Sequence, residues 1–247
     1  MPTPSDAIRS KTESSSQGQS AVRPKWLILG GTEQAAALAA RLVNQGEVEV
    51  ITSLAGRTSD PAPLAGAVRI GGFGGIDGLV RYLRENDIAQ VIDATHPFAT
   101  RISRNAVAAC GETGISLQVL DRPEWQRQPG DDWREVASLE AAATALPAGA
   151  KIFLALGRQY LQAFAARTDC HFVVRMIDPP ATPLPFARFD LLLGRASADA
   201  GAEAALFEQH HITHLVCRNS GGEAGYGKVL AARELGLPVV MLGRTKL

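Results

Sequence analysis

The sequence predicts an α/β protein built as two Rossmann-like lobes with parallel sheets and a cleft between them. Three observations carry that expectation. Short apolar runs alternate with amphipathic patterns of roughly 10 to 15 residues, the rhythm of parallel strands joined by crossover helices. The alternation breaks once, at Arg122-Pro123-Glu124-Trp125 and the polar stretch Gln126 to Asp132, and then resumes. A chain of 247 residues with 46% hydrophobic content can also fill two small cores.

The elements follow in order. Residues 1–23 are rich in Ser, Thr, Gln and Pro, lack apolar periodicity and carry no signal-like hydrophobic run, so they read as a disordered tail. The first lobe spans residues 24–121. It opens with a strand at Trp26-Leu27-Ile28-Leu29, ends it in Gly30-Gly31, and continues as an Ala/Leu-rich helix from Thr32 to Gln45. Strands at Val48 to Thr52 and Val68 to Ile70 precede a helix at Ile76 to Glu85. A strand at Gln90 to Ala94, a helix at Phe98 to Thr113 and a strand at Ser116 to Leu120 close the lobe. The second lobe spans residues 122–247. Its helices are expected at Leu139 to Leu146, Tyr160 to Ala166, Ala200 to Gln209 and Gly227 to Leu235. Its strands are expected at Ile152 to Leu156, Phe172 to Ile177, Leu191 to Leu193, His214 to Cys217 and Pro238 to Leu242. Prolines 179, 180, 183 and 185 exclude a helix between the second and third of those strands. A cleft between two such lobes is the expected ligand site.

Several turns carry chemistry. Gly30-Gly31-Thr32 joins a strand to a helix, where the backbone can approach a phosphate and the helix amides face it. It is not a full G-x-G-x-x-G, and a plain tight turn is the alternative. The next strand ends without the carboxylate that an NAD site presents roughly 20 residues after its glycines. It runs instead into Ser53-Leu54-Ala55-Gly56-Arg57, and Ser53 with Arg57 suits a 2′-phosphate, which favours NADPH over NADH. Gly71-Gly72-Phe73-Gly74-Gly75 suggests backbone hugging a flat or charged ligand, with Phe73 against an adenine or sugar. In Asp93-Ala94-Thr95-His96-Pro97-Phe98, Thr95 caps the helix or bonds a ribose, Pro97 suits the first helical turn, and His96 either donates a proton or bonds a carboxylate. Asn219-Ser220-Gly221-Gly222, flanked by Arg218 and Lys228, forms a candidate anion cradle, although G-x-x-x-x-G-K-[ST] is absent.

Composition excludes whole classes. Twenty-five basic and 25 acidic residues give zero net charge, which argues against nonspecific nucleic-acid binding. No apolar run reaches the roughly 18 residues of a membrane span. Cys110, Cys170 and Cys217 are odd in number and scattered, which fits a reducing cytoplasm and neither a disulfide scaffold nor a zinc ribbon. No metal site is expected, and a monomer is compatible with the sequence. The basic residues comprise 20 Arg and 5 Lys, a bias that is either genomic or a mark of bidentate anion recognition.

Taken together, Gly30-Gly31-Thr32, Ser53 to Arg57, Gly71 to Gly75, Asp93 to Ala99, Arg122-Pro123-Glu124-Trp125, Asn219 to Gly222 and Ala231 to Val240 resemble the precorrin-6A reductase family of cobalamin biosynthesis. The similarity spans Lys25 to Leu242. It departs from the family pattern at Arg218, where Lys is usual, at Gly225-Tyr226-Gly227-Lys228 in place of Thr-Tyr-Ala-Lys, and at Gly194-Arg195-Ala196-Ser197, where Gly-Pro-Phe is common. The resemblance implies pyridine-nucleotide-dependent reduction of one macrocycle double bond, converting precorrin-6A to precorrin-6B. Joined to that activity, the reading of the turns puts NADPH on Gly30, Gly31, Thr32, Ser53, Arg57, Gly72, Phe73, Gly74, Gly75 and Thr95, with His96 as candidate proton donor. Substrate carboxylates would meet Arg122, Arg175, Arg195, Arg218, Asn219, Ser220, Gly221, Gly222 and Lys228. Alternatives are a cobalt-precorrin-6A reductase using NADH, or a nucleotide-sensing protein without turnover. A short-chain dehydrogenase would need Tyr-x-x-x-Lys after the fourth strand, and none is there.

Overall fold

The computed structural model describes residues 22–56 and 63–244. The expected tail at residues 1–23 and Arg57 therefore lie almost wholly or wholly outside the described residues. The chain forms two parallel sheets. The first contains β1 (Lys25–Leu29), β2 (Glu49–Leu54), β3 (Ala67–Ile70), β4 (Ile88–Asp93) and β5 (Ser116–Val119), in the order β3-β2-β1-β4-β5. Its helices are α1 (Glu33–Gln45), α2 (Gly75–Glu85) and α3 (Thr100–Thr113). Strand β1 shows why both faces are covered. Leu27 and Leu29 pack with Leu79, Leu83 and Ala106 from α2 and α3, while Ile28 points oppositely and packs with Ala35, Leu38 and Leu42 of α1.

The second sheet contains β6 (Trp133–Val136), β7 (Lys151–Ala155), β8 (His171–Met176), β9 (Phe189–Leu193), β10 (His214–Arg218) and β11 (Val239–Leu242), in the order β6-β11-β10-β7-β8-β9. Helices α4 (Leu139–Ala145), α5 (Ala200–Gln209) and α6 (Gly227–Glu234), with a 3-10 helix at Arg158–Phe164, cover it. Phe153, Val173, Leu215 and Met241 bury one face, and Ile152, Leu154, Phe172 and Val174 the other. No helix among the described residues is long and apolar enough to cross a membrane.

Three local differences from expectation have physical causes. Strand β6 is four residues long at a sheet edge, too short to show periodicity, and it is defined by parallel pairing with β11. The helix expected from Tyr160 is a 3-10 helix beginning at Arg158. Helix α3 starts at Thr100, so Pro97 lies before the helix rather than in its first turn. His96 and Phe98 are thereby left in an irregular segment at the carboxyl end of β4.

Both sheets reverse strand order once, between β1 and β4 in the first and between β7 and β10 in the second. Such switch points open a crevice at the carboxyl ends of the strands. The two crevices meet: His96, beyond β4, touches Ser220, beyond β10, at 3.0 Å.

Candidate active site

A cavity of about 900 Å³ opens at the carboxyl edge of the first sheet. Gly30, Gly31, Ser53, Gly72, Phe73, Gly74, Gly75, Thr95 and His96 line it, as do Thr100, Arg101 and Asn105 of α3. Gln159 and Tyr160 of the second lobe also contribute to its wall.

The first turn is built for close approach. The Gly30 amide donates to the Ser53 carbonyl at 2.9 Å, and a Cβ there would lie 2.8 Å from Thr52 Cγ2. Gly31 has φ +99°, in the region that favours glycine. Thr32 caps α1: its hydroxyl accepts from the Ala35 amide at 3.1 Å and donates to the Ala94 carbonyl at 2.8 Å. That hydroxyl is committed to the fold and Thr32 does not line the cavity, so the neighbouring glycines supply the approach.

Beyond β2 and β3, the glycine loop is held by a residue the motif reading missed. The Arg69 guanidinium donates to the carbonyls of Gly71 and Gly72, at 2.5 and 2.8 Å, and to Ser53 Oγ at 3.3 Å. It also lies 3.8 Å from the Phe73 ring centroid, whose edge meets Tyr82 at 5.1 Å. Gly78 admits this arrangement, because a Cβ there would fall 1.8 Å from the Phe73 carbonyl oxygen. At the end of β4, buried Asp93 accepts from both the amide and the hydroxyl of Thr95, at 3.0 and 2.7 Å.

His96 differs from the expectation of a proton donor. The Phe98 amide donates to its Nδ1 at 3.2 Å, so the ring proton resides on Nε2, facing Ser220 Oγ at 3.0 Å. Burial, and then the charges of Arg218, Arg122, Arg244 and Lys228, lower its pKa to about 3. At neutral pH it is an uncharged imidazole that joins the lobes, and an imidazolium acid is not present.

The second-lobe residues are largely occupied by the protein itself. Asn219, expected in an anion cradle, accepts from the Trp125 amide at 2.8 Å and donates back to the Trp125 carbonyl at 3.0 Å. The Trp125 indole donates to the Gly222 carbonyl at 2.7 Å. Gly221 has φ +64°, and a Cβ on it would lie 2.1 Å from the Pro123 carbonyl. The Asn-Ser-Gly-Gly loop therefore clamps the connection between the lobes. Arg175 is likewise not open to a substrate, since it forms a bidentate pair with Glu203 at 2.7 and 2.9 Å, and Glu203 is 1% exposed. Buried Lys228 donates to the Gly225 carbonyl and lies 5.1 Å from the Trp125 ring. Arg195 is exposed on the loop after β9 and does not line the cavity.

Two arginines do stand between the lobes. Arg122 donates to Gln34 Oε1 of α1 at 3.4 Å, with its pKa lowered by burial and by Arg244. Arg218 lies 5.0 Å from the Phe98 ring and 5.1 Å from the Tyr160 ring, behind two aromatic groups that line the cavity. Among the described residues, Arg101 is the one arginine or lysine in the cavity wall, and Asn105 lies one helical turn beyond it. Neither was identified from sequence, where α3 shows no motif. No group of three or more His, Cys, Asp or Glu side chains among the described residues could hold a metal ion.

Two parallel α/β lobes with a glycine-floored cavity at a strand-order reversal define a doubly wound α/β protein whose ligand crevice lies at the carboxyl edge of its strands. The chain belongs to the precorrin-6x reductase CbiJ/CobK family, whose model matches residues 25–246. It is 48% identical over 222 residues to the precorrin-6A reductase of Rhodococcus erythropolis, covering 90% of this chain and 89% of the relative. It is 45% identical over 219 residues to that of Rhodobacter capsulatus, covering 88% and 87%. The solved structure of CobK precorrin-6A reductase superposes with a TM-score of 0.88 at 44% identity, covering 91% of this chain and 89% of that one.

Proposed function

We propose that this chain reduces one double bond of the precorrin-6A macrocycle to give precorrin-6B in cobalamin biosynthesis, with NADPH as reductant. The observation that carries the reading is the cavity at the β1–β4 reversal, walled at its far end by Gln159 and Tyr160. The relatives from Rhodococcus erythropolis and Rhodobacter capsulatus, 48% and 45% identical, bear the name precorrin-6A reductase, which supports the metal-free substrate.

The residues present fit a dinucleotide. Hypothetical Cβ atoms on Gly31, Gly72, Gly74 and Gly75 meet no protein atom within 4 Å, so this stretch of wall is open backbone. Gly30 and Gly31 would meet the pyrophosphate, with Thr32 fixing the turn by its cap. Ser53 and Arg57 would hold the 2′-phosphate, with Gly72 and Phe73 beside them, and Gly74, Gly75 and Thr95 would line the remainder. A reduced nicotinamide supplies the hydride when bound.

The chain's own contribution is to bind, orient and exclude water. Residues 24–121 would hold the nucleotide, and residues 122–247 would close over the macrocycle. Arg101 and Asn105, one turn apart on α3, would meet a substrate carboxylate from the cavity wall. His96 would position the wall of the site as a neutral group, and a water would deliver the proton to the neighbouring carbon.

The test is to incubate the purified chain with precorrin-6A and NADPH and follow nicotinamide absorbance and tetrapyrrole mass. NADPH oxidation with formation of the reduced tetrapyrrole is expected. NADPH binding without oxidation would refute the enzyme reading and favour a sensing protein. Preferential turnover of cobalt-precorrin-6A with NADH would refute the metal-free assignment.

A further inference from the structure

We infer that Arg69 sets the preference for the 2′-phosphate of NADPH, as a positioning residue behind a phosphate seat formed by the amides of Gly72 and Phe73, beside Ser53. The inference rests on the nucleotide reading above and adds a residue outside the glycine motifs.

The geometry begins in the sheet. Arg69 of β3 is the register partner of Ser53 of β2, so the two side chains share one face of a parallel pair. From there the guanidinium reaches forward to the carbonyls of Gly71 and Gly72. A trans peptide points its carbonyl and its following amide in opposite directions, and no described peptide is cis. With both carbonyls turned to Arg69, the Gly72 and Phe73 amides are directed away from it. Among the described residues, neither amide donates a main-chain hydrogen bond.

Successive amides backed by a cation form an anion-binding concavity. Ser53 stands on the guanidinium's own side of the loop, where its Oγ accepts from Arg69 at 3.3 Å and helps hold the guanidinium in place. Stacking on Phe73 fixes the guanidinium plane, so charge, carbonyls and hydroxyl are organised before a ligand arrives. The seat lies beyond β2 and β3, whereas Gly30 and Gly31 at the end of β1 are the pyrophosphate candidates. A phosphate at this second position is the group that distinguishes NADPH from NADH.

The experiment compares wild type, Arg69→Met and Arg69→Lys for binding of NADPH, NADH and 2′,5′-ADP, without tetrapyrrole. Met keeps length and can cover Phe73 but has no donor. Lys keeps charge but cannot grip two carbonyls and a hydroxyl in one plane. Arg69→Met should lose roughly tenfold to hundredfold in affinity for NADPH and 2′,5′-ADP, the range for one lost charge-assisted hydrogen bond. NADH should lose less than about threefold on the same scale. Arg69→Lys should recover only part of the NADPH affinity. Equal losses for both cofactors, no loss in the Met variant, or full rescue by Lys would each overturn the inference. Wild-type chain that binds NADPH and NADH alike would instead overturn the cofactor reading beneath it.

Discussion

His96 gives the sharpest pH prediction. Its side chain has a folded pKa of about 3 against an ordinary value of 6.5, chiefly through burial and then through four surrounding cations. A depressed histidine pKa means that the unfolded chain binds the proton more readily. The stability tied to neutral His96 is therefore intact above pH 6.5 and is lost progressively as pH falls toward 3. At about pH 5 the cost approximates RT ln(1 + 10^1.5), or about 2 kcal/mol, while near pH 7.5 it is roughly 0.1 kcal/mol or less. His96→Gln keeps an amide donor for Ser220 but removes the titration. In urea unfolding, wild type should lose about 2 kcal/mol more than the variant between those two pH values. The same acid loss in both proteins would refute the buried, uncharged assignment. Turnover tests the chemistry separately. Removing a general acid typically costs about 10²- to 10⁴-fold, whereas the variant is expected to lose less than about tenfold. A hundredfold loss with the fold intact would make His96 the proton donor after all.

Other outcomes follow from the packing. Arg175→Ala leaves the Glu203 carboxylate buried without its bidentate partner and should cost about 3–5 kcal/mol in denaturant unfolding; an Arg175→Met, Glu203→Leu double variant should recover most of it. Gly78→Ala brings a Cβ within 1.8 Å of the Phe73 carbonyl, so the glycine loop must move; equilibrium titration should show weaker binding of both NADPH and NADH, and unchanged binding would refute the role of this close approach. Arg101→Ala should raise the KM for precorrin-6A about tenfold or more with NADPH affinity retained, and steady-state kinetics showing the reverse pattern would place Arg101 at the nucleotide instead.

The sequence was most legible where local signals agreed. In the segment from β1 through α1, a buried strand, two glycines, a Thr cap and an apolar helical stripe all point to one structure. Helix α5 has the same bounds in the sequence reading and in the fold. The glycine motifs likewise lie where a strand-order reversal opens the cavity, because they sit at strand ends. What stayed hidden depends on partners distant in the chain. Arg69 carries no motif, and its role appears only when β3 pairs with β2 and turns the guanidinium toward Gly71 and Gly72. Arg175 resembles a free cleft cation until folding brings it to Glu203, 28 residues away. Asn219 sits in a loop whose composition suits an anion, yet Trp125, 94 residues away, occupies both ends of its amide.

The surplus of arginine over lysine has a structural use that zero net charge conceals. Arg244 donates to the carbonyls of Asn219, Arg122 and Ser220 and so ties the loop after β10 to the connection between the lobes. Arg167 gathers the carbonyls of Ala143, Leu146 and Pro147, and Arg69 those of Gly71 and Gly72. Each task needs several donors held in one plane, which a lysine ammonium on a flexible stem does not present. These arginines recognise the protein's own carbonyls rather than a ligand's carboxylates, and they fix irregular loops that carry no ladder of hydrogen bonds. A polycarboxylate macrocycle therefore cannot be matched to this chain by counting its arginines. It must be met by those that line the cavity without already gripping the fold, and among the described residues that points to Arg101 rather than to Arg175 or Arg195.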